Sequence, residues 1–127
     1  MHEMALCTEV VDAVLDEANR VDAITVNEVH LVLGEIRDIV EDLFDGFFHH
    51  LARETIVEGA ILTFTRVPVT AACRACGRAF RVDMKAREAC SCPLCGAQDY
   101  EVASGMEFYI GSIDVTTKEE WEADDRE

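Results

Sequence analysis

Four cysteines near the middle of the chain have the spacing of a metal site. They form the pattern C-x2-C-x15-C-x2-C with Cys73, Cys76, Cys92 and Cys95. A tight turn lets both thiolates of a C-x2-C pair reach one ion, and two pairs supply the four sulfur ligands of a tetrahedral zinc site. A glycine follows each pair and provides the positive φ that such turns often need. We therefore predict Zn²⁺ at these four thiolates, in a structural site because no coordination position stays open.

Three alternatives to this interpretation remain open. Cys90 lies two residues before Cys92 and could replace it as a ligand, although C-x4-C does not form the same tight turn, which favours Cys92. The run Cys92-Pro93-Leu94-Cys95-Gly96 also fits a rubredoxin-type iron site for electron transfer. A zinc ribbon could instead bind nucleic acid. The chain, however, contains 11 Lys and Arg and 26 Asp and Glu, which give it a net charge of −15. Nucleic-acid binding needs a basic face, which this charge disfavours.

A second candidate metal site lies at the amino terminus. The amine of Met1, the backbone amides of His2 and Glu3, and the His2 imidazole are nitrogen donors within three residues. Together they can form a square-planar nitrogen field, which Ni²⁺ and Cu²⁺ favour and Zn²⁺ does not. Because His2 is bulky, we expect the chain to keep Met1 and its free amine. Spacing alone does not distinguish this site from a solvated histidine.

Hydrophobic periodicity predicts the elements that would carry these two sites. Apolar residues at helical spacing indicate one helix between Met4 and Ala18. A second helix is expected after Asp38, which is a candidate N-cap with Glu41 in a capping box. Alternating or bounded apolar runs predict strands over residues 26–33, 60–67 and 107–115.

These elements predict an α+β or α/β fold with two helices on a three-stranded mixed β-sheet and an inserted, zinc-ribbon-like module of four cysteines. The last strand lies beyond the module and most simply pairs with the earlier strands. We place the α/β domain at residues 1–68 plus 105–117. The zinc-binding domain spans 69–104, with a short hairpin arm near Phe80, and an acidic, frayed tail follows at 118–127.

The composition indicates a protein of a reducing compartment. The chain has 127 residues, 50% of them hydrophobic, but no apolar run of the roughly 18 residues that a membrane span requires. No basic cluster precedes an apolar stretch near the amino terminus, so no secretory signal is predicted. Six cysteines without such a signal favour the cytoplasm. No nucleophile–base pair, phosphate-binding loop or paired-carboxylate motif predicts an enzyme.

Four further side chains have both a structural and a functional interpretation. Cys7 lies on the apolar face of the first helix and is predicted to be a small buried hydrophobe. His49 and His50 fall near the end of the second helix, where the helix dipole favours them, and an extra metal contact is the functional alternative. His30 is expected to pack or pair with Glu28 on a strand face.

Several short segments carry a family resemblance. They are the Met-His-Glu-Met-Ala-Leu start, Gly34-Glu35-Ile36 after a strand, Leu43 and Phe44 to Phe48 in the second helix, Glu58-Gly59-Ala60 before a strand, Val67-Pro68-Val69 before the first cysteine pair, and the Cys92-to-Gly96 run. In this order and spacing, over about residues 1–116, the chain resembles the HypA/HybF family of hydrogenase nickel-incorporation proteins.

The resemblance implies a small cytoplasmic metallochaperone, not an enzyme, with a nickel site at the amino terminus and a structural zinc site. It implies His2 as the Ni²⁺ ligand, with main-chain nitrogens from Met1 and Glu3, and the four cysteines as Zn²⁺ ligands. The expected partners are a hydrogenase-maturation GTPase of the HypB type and the [NiFe]-hydrogenase large subunit, with no nucleic acid and no membrane. A monomer or weak homodimer is expected. Cys90 and the acidic tail after Val115 depart from the family pattern.

Overall fold

A computed structural model describes residues 3–37, 39–82 and 91–125. In chain order the elements are α1 (Glu3–Arg20), β1 (Ala23–Gly34), α2 (Glu41–Ala52), β2 (Ile61–Val67), β3 (Thr70–Cys73), β4 (Ala79–Arg81), β5 (Tyr100–Ser104), β6 (Phe108–Thr117) and α3 (Lys118–Asp125). The strands form two three-stranded sheets, ordered β2-β1-β6 and β4-β3-β5. The chain divides into a first unit of residues 1–31, 39–64 and 110–127, and a second unit of 32–38 and 65–109. No helix in the described ranges is long and apolar enough to cross a membrane.

The core of the first unit lies where α1, α2 and β1 pack together. Its largely or fully buried side chains are Cys7, Val10, Val11, Val14 and Ala18 of α1, Phe44, Phe48 and Ala52 of α2, and Val26, Val29 and Leu31 of β1. The helical residues recur three or four positions apart, so each helix turns one apolar face inward. Phe44 and Phe48 are fully buried, which stabilises the unit by about 1.5–3 kcal/mol for each side chain. The two predicted helices and the predicted alternation in β1 are confirmed.

The larger sheet is mixed, as predicted. Between β1 and β2, the His30 and Thr63 side chains are hydrogen-bonded at 2.7 Å, and the Glu35 N–H donates to the Val67 carbonyl oxygen at 2.8 Å. Between β1 and β6, the Asn27 side chain donates to the Asp114 carboxylate at 3.1 Å, and the Gly34 N–H donates to the Glu107 carbonyl oxygen at 2.7 Å. Along β1 and β2 the residue numbers of the bonded partners increase together, so these strands are parallel. Along β1 and β6 one residue number increases as the other decreases, so these strands are antiparallel. β6 therefore returns to the sheet after the cysteine-rich segment, which confirms the predicted pairing of the last strand.

Helix α2 starts later than the sequence suggested. Its N-cap is Val40, in an extended conformation and without a side-chain capping bond, so the prediction of Asp38 as N-cap was wrong; Asp38 itself lies outside the described residues. The Phe44 N–H donates to the Val40 carbonyl oxygen at 2.9 Å, which defines the first turn. Acidic Glu41 in that turn suits the positive end of the helix dipole, which offsets the missing cap.

The second unit contains a small antiparallel sheet with β3 at its centre. β4 pairs with β3 and contains Phe80, so a short strand at Phe80 is confirmed. The prediction that its hairpin lies between the two cysteine pairs was wrong, because β3 ends at Cys73 and the hairpin encloses the first pair. β5 pairs with the other edge of β3 and was not predicted. The buried cluster of this unit contains Ala71, Cys73, Phe80 and Cys92, with Val82, Ala97 and Tyr100 packed against it. Phe80 is the one large apolar side chain among the described buried members of this cluster, so burial of the cluster alone supplies little folding free energy.

The acidic tail forms a helix, so the prediction of a frayed tail was wrong for residues 118–125. Thr117 is its N-cap: the hydroxyl oxygen accepts a bond from the Glu120 N–H at 3.2 Å, and the hydroxyl lies 3.2 Å from the Glu120 carboxylate. The Thr117 side chain thus caps the first turn of the helix and also bonds to the Glu120 carboxylate. The Lys118 N–H also donates to the Asp22 carbonyl oxygen at 3.1 Å, which attaches the helix to the turn after α1.

Gly34 lies where two backbone segments of the second unit approach closely. A Cβ at this position would lie 1.9 Å from the Gly105 carbonyl oxygen, so any larger residue must displace backbone. We expect Gly34→Ala to lower the free energy of unfolding by about 2–3 kcal/mol, from urea titration of the metal-loaded protein. Gly46→Ala is the control: nothing lies within 4 Å of its Cβ, and in α2 alanine should stabilise by about 0.5–1 kcal/mol. Equal stability of the two variants would contradict the close approach.

Candidate metal centre

The four sequence-predicted cysteines converge at one point of the second unit. Their Sγ atoms all lie within 4.8 Å of one another. The Sγ–Sγ distance is 3.5 Å between Cys73 and Cys95, and 3.7 Å between Cys76 and Cys92. A tetrahedron with metal–sulfur bonds of about 2.3 Å has edges of about 3.8 Å, whereas a disulfide would bring two sulfurs to about 2.05 Å. The quartet therefore has the dimensions of a tetrahedral metal site, and all four thiols are free.

Two similar turns position the thiolates. In each turn the glycine N–H donates to the carbonyl oxygen of the first cysteine at 2.8 Å, from Gly77 to Cys73 and from Gly96 to Cys92. The glycines have φ of +77° and +76°, a region that residues with a Cβ rarely adopt. The glycine after each cysteine pair, noted in the sequence, is therefore required by the turn.

The two cysteines of each pair differ in their solvent exposure. The first cysteine of each pair, Cys73 or Cys92, is 2% exposed and belongs to the small core. The second, Cys76 or Cys95, is exposed. An ion bound by all four thiolates would therefore have two buried and two solvent-exposed cysteine ligands.

The thiols of the quartet titrate differently because their sulfurs are so close. Burial opposes ionisation of Cys92, but N–H donors at Cys95 and Leu94 and the neighbouring thiols outweigh it and lower the pKa of Cys92 to about 7. The Ala97 N–H favours a thiolate at Cys95, yet the neighbouring sulfurs, with Cys73 foremost, raise the pKa of Cys95 to about 12. Four adjacent thiolates repel one another, so a cation is needed to hold the whole set ionised.

The donor set fits zinc and iron. Four thiolates in tetrahedral geometry suit Zn²⁺ or a single iron, and the closed shell leaves no position for a substrate. Arg74 of the first turn lies 3.5 Å from the Asp99 carboxylate and 3.6 Å from that of Glu101. Arg81 lies 3.3 Å from Glu35. These arginines therefore face carboxylates of their own chain. Cys90 lies outside the described residues.

The predicted nickel site is only partly described. Met1 and His2 lie outside the described residues, and Glu3, the first residue of α1, is 7% exposed. The structure therefore places the start of α1 directly after the predicted ligand His2. No second cluster of three or more potential ligands occurs among the described residues.

Two other histidines of the first unit, His30 and His49, make side-chain contacts within the protein. The His49 ring nitrogens lie 2.8 Å from the Asp45 carbonyl oxygen and 3.0 Å from that of Ala60. His30 Nδ1 lies 2.7 Å from the Thr63 hydroxyl, which donates to Glu28 at 3.1 Å. His50 is exposed. His49 thus links α2 to the segment before β2, and His30 reaches Glu28 through Thr63 as part of a polar network.

Cys7 is a buried thiol remote from the metal quartet in sequence, as predicted. Its side chain is fully buried and donates to the Phe44 carbonyl oxygen at 3.4 Å, and burial raises the pKa of the thiol to about 12. Only about one thiol in 10⁴ would be ionised at pH 8, and alkylation requires the thiolate. We expect iodoacetamide to leave Cys7 unmodified in the native protein and to modify it in urea, as measured by peptide mass spectrometry. Native labelling of Cys7 at the rate of exposed Cys76 in chelator-treated protein would contradict this.

The fold and the thiolate quartet define a small α+β metal-binding protein. Residues 1–115 match the family model described as hydrogenase/urease nickel incorporation, metallochaperone, HypA. Hydrogenase maturation factor HypA of Dehalococcoides mccartyi is 36% identical over 115 residues, which cover 91% of this chain and 94% of that protein. The same factor from Pyrococcus furiosus is 36% identical, covering 89% of this chain and 94% of its own length.

Solved structures agree on the fold. The solution structure of the Ni metallochaperone HypA from Helicobacter pylori superposes with a TM-score of 0.65 at 22% identity, covering 93% of this chain and all of that one. A second solution structure of a HypA protein has a TM-score of 0.70 at 22% identity, covering 93% of this chain and 98% of the other. The chain belongs to the HypA family of hydrogenase/urease nickel-incorporation metallochaperones. The family consists of maturation factors and not enzymes, in agreement with the sequence-based expectation.

Proposed function

We propose that this protein binds Ni²⁺ at its amino terminus and delivers it to the large subunit of a [NiFe]-hydrogenase in the cytoplasm, with structural Zn²⁺ at Cys73, Cys76, Cys92 and Cys95. Membership of a nickel-incorporation family is the observation that carries the proposal. A GTPase of the HypB type is the proposed partner, and the protein acts as a monomer or weak homodimer. The domain division proposed from the sequence, 1–68 plus 105–117 and 69–104, assigns nickel to the first part and zinc to the second.

The geometry of the quartet supports zinc as the resident ion. A divalent cation would offset the mutual repulsion of four converging thiolates, and its binding would add folding free energy that the small core of this unit does not supply. Zn²⁺ has no redox chemistry and no preference for another geometry, so it suits a purely structural role. A rubredoxin-like iron protein is the rival that shares these ligands. A colourless protein that retains zinc would exclude the iron protein, whereas a coloured protein that contains iron would favour it.

The donor chemistry at the amino terminus supports nickel as the cargo. Imidazole, amine and amide nitrogens favour square-planar Ni²⁺, and the amides must lose protons to bind, so the affinity should fall at low pH. His49 has both ring nitrogens engaged by carbonyl oxygens of its own unit. His2 is the histidine that we propose for nickel, with main-chain nitrogens from Met1 and Glu3.

The proposed mechanism is hand-over by ligand exchange. A site at a chain end is reached easily by the ligands of an acceptor protein, which can replace the nitrogens one at a time. Each donor that leaves is reprotonated, so release is favoured by protons as well as by the acceptor. Zn²⁺ in a closed shell has no comparable route of exchange, which keeps the two metals distinct.

A transfer assay tests the proposed function. Protein loaded with Ni²⁺ is mixed with the metal-free hydrogenase large subunit, the GTPase and GTP, and nickel in the large subunit is measured with the recovered hydrogenase activity. We expect faster loading than from the same concentration of free Ni²⁺ with a competing chelator. His50→Ala removes an exposed histidine and should transfer normally, whereas His2→Ala should not. Loading no faster than from chelated free Ni²⁺ would contradict delivery.

A further inference from the structure

An open groove of about 600 Å³ lies in the first unit, between the turn that joins α1 to β1 and the beginning of α3. We call it the α3 groove, and its lining includes Val21, Asp22, Ile24, Lys118, Glu119 and Glu122. The α3 side of the groove lies beyond the segment 1–115 that matches the HypA family. The groove therefore includes structure that the family match does not account for, and its lining contains none of the residues proposed for the two metal sites.

Hydrogen bonds fix both sides of the α3 groove. The Asp22 N–H donates to the Asn19 carbonyl oxygen at 3.2 Å, and Asp22 has a φ of +57°, in the left-handed region. The Lys118 N–H donates to the Asp22 carbonyl oxygen, and the Thr117 side chain caps the first turn of α3. Backbone and capping hydrogen bonds thus support both sides of the groove.

The lining combines carboxylates with exposed apolar surface. The carboxylates of Asp22, Glu119 and Glu122 make no hydrogen bond or ion pair with any residue in the described part of the chain, and Lys118 is the one cation that lines the groove with them. These carboxylates do not form a cluster that could hold a metal ion. Beside them Ile24 is 37% exposed and Val21 is half-buried. Arg and Lys match such a lining, because an aliphatic stem can cover the apolar part while the cation reaches a carboxylate.

We propose that the α3 groove binds a basic segment of a partner protein, in which arginine or lysine alternates with apolar residues. Its cations pair with Asp22, Glu119 and Glu122, and its apolar side chains cover Val21 and Ile24. The volume suits a few side chains and not a whole helix. Acidic membrane lipids would be repelled by the same carboxylates and by the net charge of −15, so a basic protein segment is the favoured occupant.

The test uses the full-length, zinc-loaded protein and a fluorescein-labelled peptide of alternating arginine and leucine. Binding is followed by fluorescence anisotropy at about 0.15 M salt, where charges more than about 8 Å away are screened. The groove variant is Glu119→Gln with Glu122→Gln. The matched control is Asp12→Asn with Asp16→Asn, which removes the same charge from an exposed face of α1. Ile24→Ser tests the apolar part.

We expect the groove variant and Ile24→Ser each to weaken peptide binding by roughly five- to tenfold, and the α1 control by less than about twofold. Circular dichroism of each variant checks that α3 stays folded, because Glu119 lies in its first turn and suits the positive end of the helix dipole. An equal loss in the groove variant and the control would overturn the proposal, since the net charge of the chain would then attract the peptide. Absence of binding to the unmodified protein would overturn it as well.

Discussion

Replacing His2 by alanine should weaken the binding of Ni²⁺ by about a hundredfold or more and leave zinc content and fold unchanged. Loss of a residue that only orients a metal ligand costs roughly 10–100-fold in affinity, so loss of the ligand itself should cost at least as much. Zinc should be unaffected because its proposed ligands are the four cysteines of the second unit. The affinity is measured by titration against a chromophoric chelator, with circular dichroism to follow the fold.

Two further variants separate the terminal site from other histidines. His50→Ala removes an exposed histidine of α2 and should retain full nickel affinity. Residues added before Met1 displace the terminal amine from the donor set and should weaken nickel binding although His2 is still present. Equal affinity of the extended and the native chain would exclude the amine as a ligand. Equal affinity of His2→Ala and the unmodified protein would exclude the whole assignment.

Replacing Cys76 by serine should release zinc and unfold the second unit while the first unit stays folded. Cys76 is exposed, so the change removes a thiolate with little loss of packing. Structural zinc contributes an apparent 10–16 kcal/mol, roughly, to the folding of small zinc domains. The small cluster around Phe80 and Tyr100, whose rings meet edge-on at 5.7 Å, would not replace that contribution. Hydrogen exchange should show lost protection in β3, β4 and β5 and retained protection in α1 and α2.

Cys90→Ser is the matched control for the zinc prediction. It removes a thiol two residues before Cys92, and we expect full zinc content and unchanged hydrogen exchange. Zinc loss in this variant would show that Cys90 belongs to the ligand set. Cys76→Ser protein that still holds one zinc per chain against a chelator, with β3 to β5 protected, would refute the role of the quartet in folding.

The features predicted correctly from the sequence are those whose residues recur regularly along an element or have a spacing fixed by a local turn. α1, α2 and β1 each bury one face along their length, so their apolar residues recur at the period of the element. The cysteine quartet was predicted because each turn is local and its spacing is imposed by geometry. Burial of Cys7 followed from its place in the same helical stripe as Val11 and Val14.

The features missed depend on contacts that the local sequence does not show. β3 and β5 are short, and their pairing joins Cys73 to Tyr100 across the whole second cysteine pair. The N-cap of α2 is Val40, a residue type without a capping side chain, so no local signal marks it. For α3, the Thr117–Glu120 pair was visible in the sequence, but the run of acidic residues was interpreted as a solvated tail.

The most direct test of the account is metal analysis combined with nickel titration of the untagged protein. After dialysis against a mild chelator we expect about one zinc per chain, no iron, and one further site that takes up Ni²⁺ and releases it on acidification. His2→Ala should abolish the nickel site and keep the zinc. Iron in place of zinc, or nickel uptake that is the same with and without His2, would contradict the account.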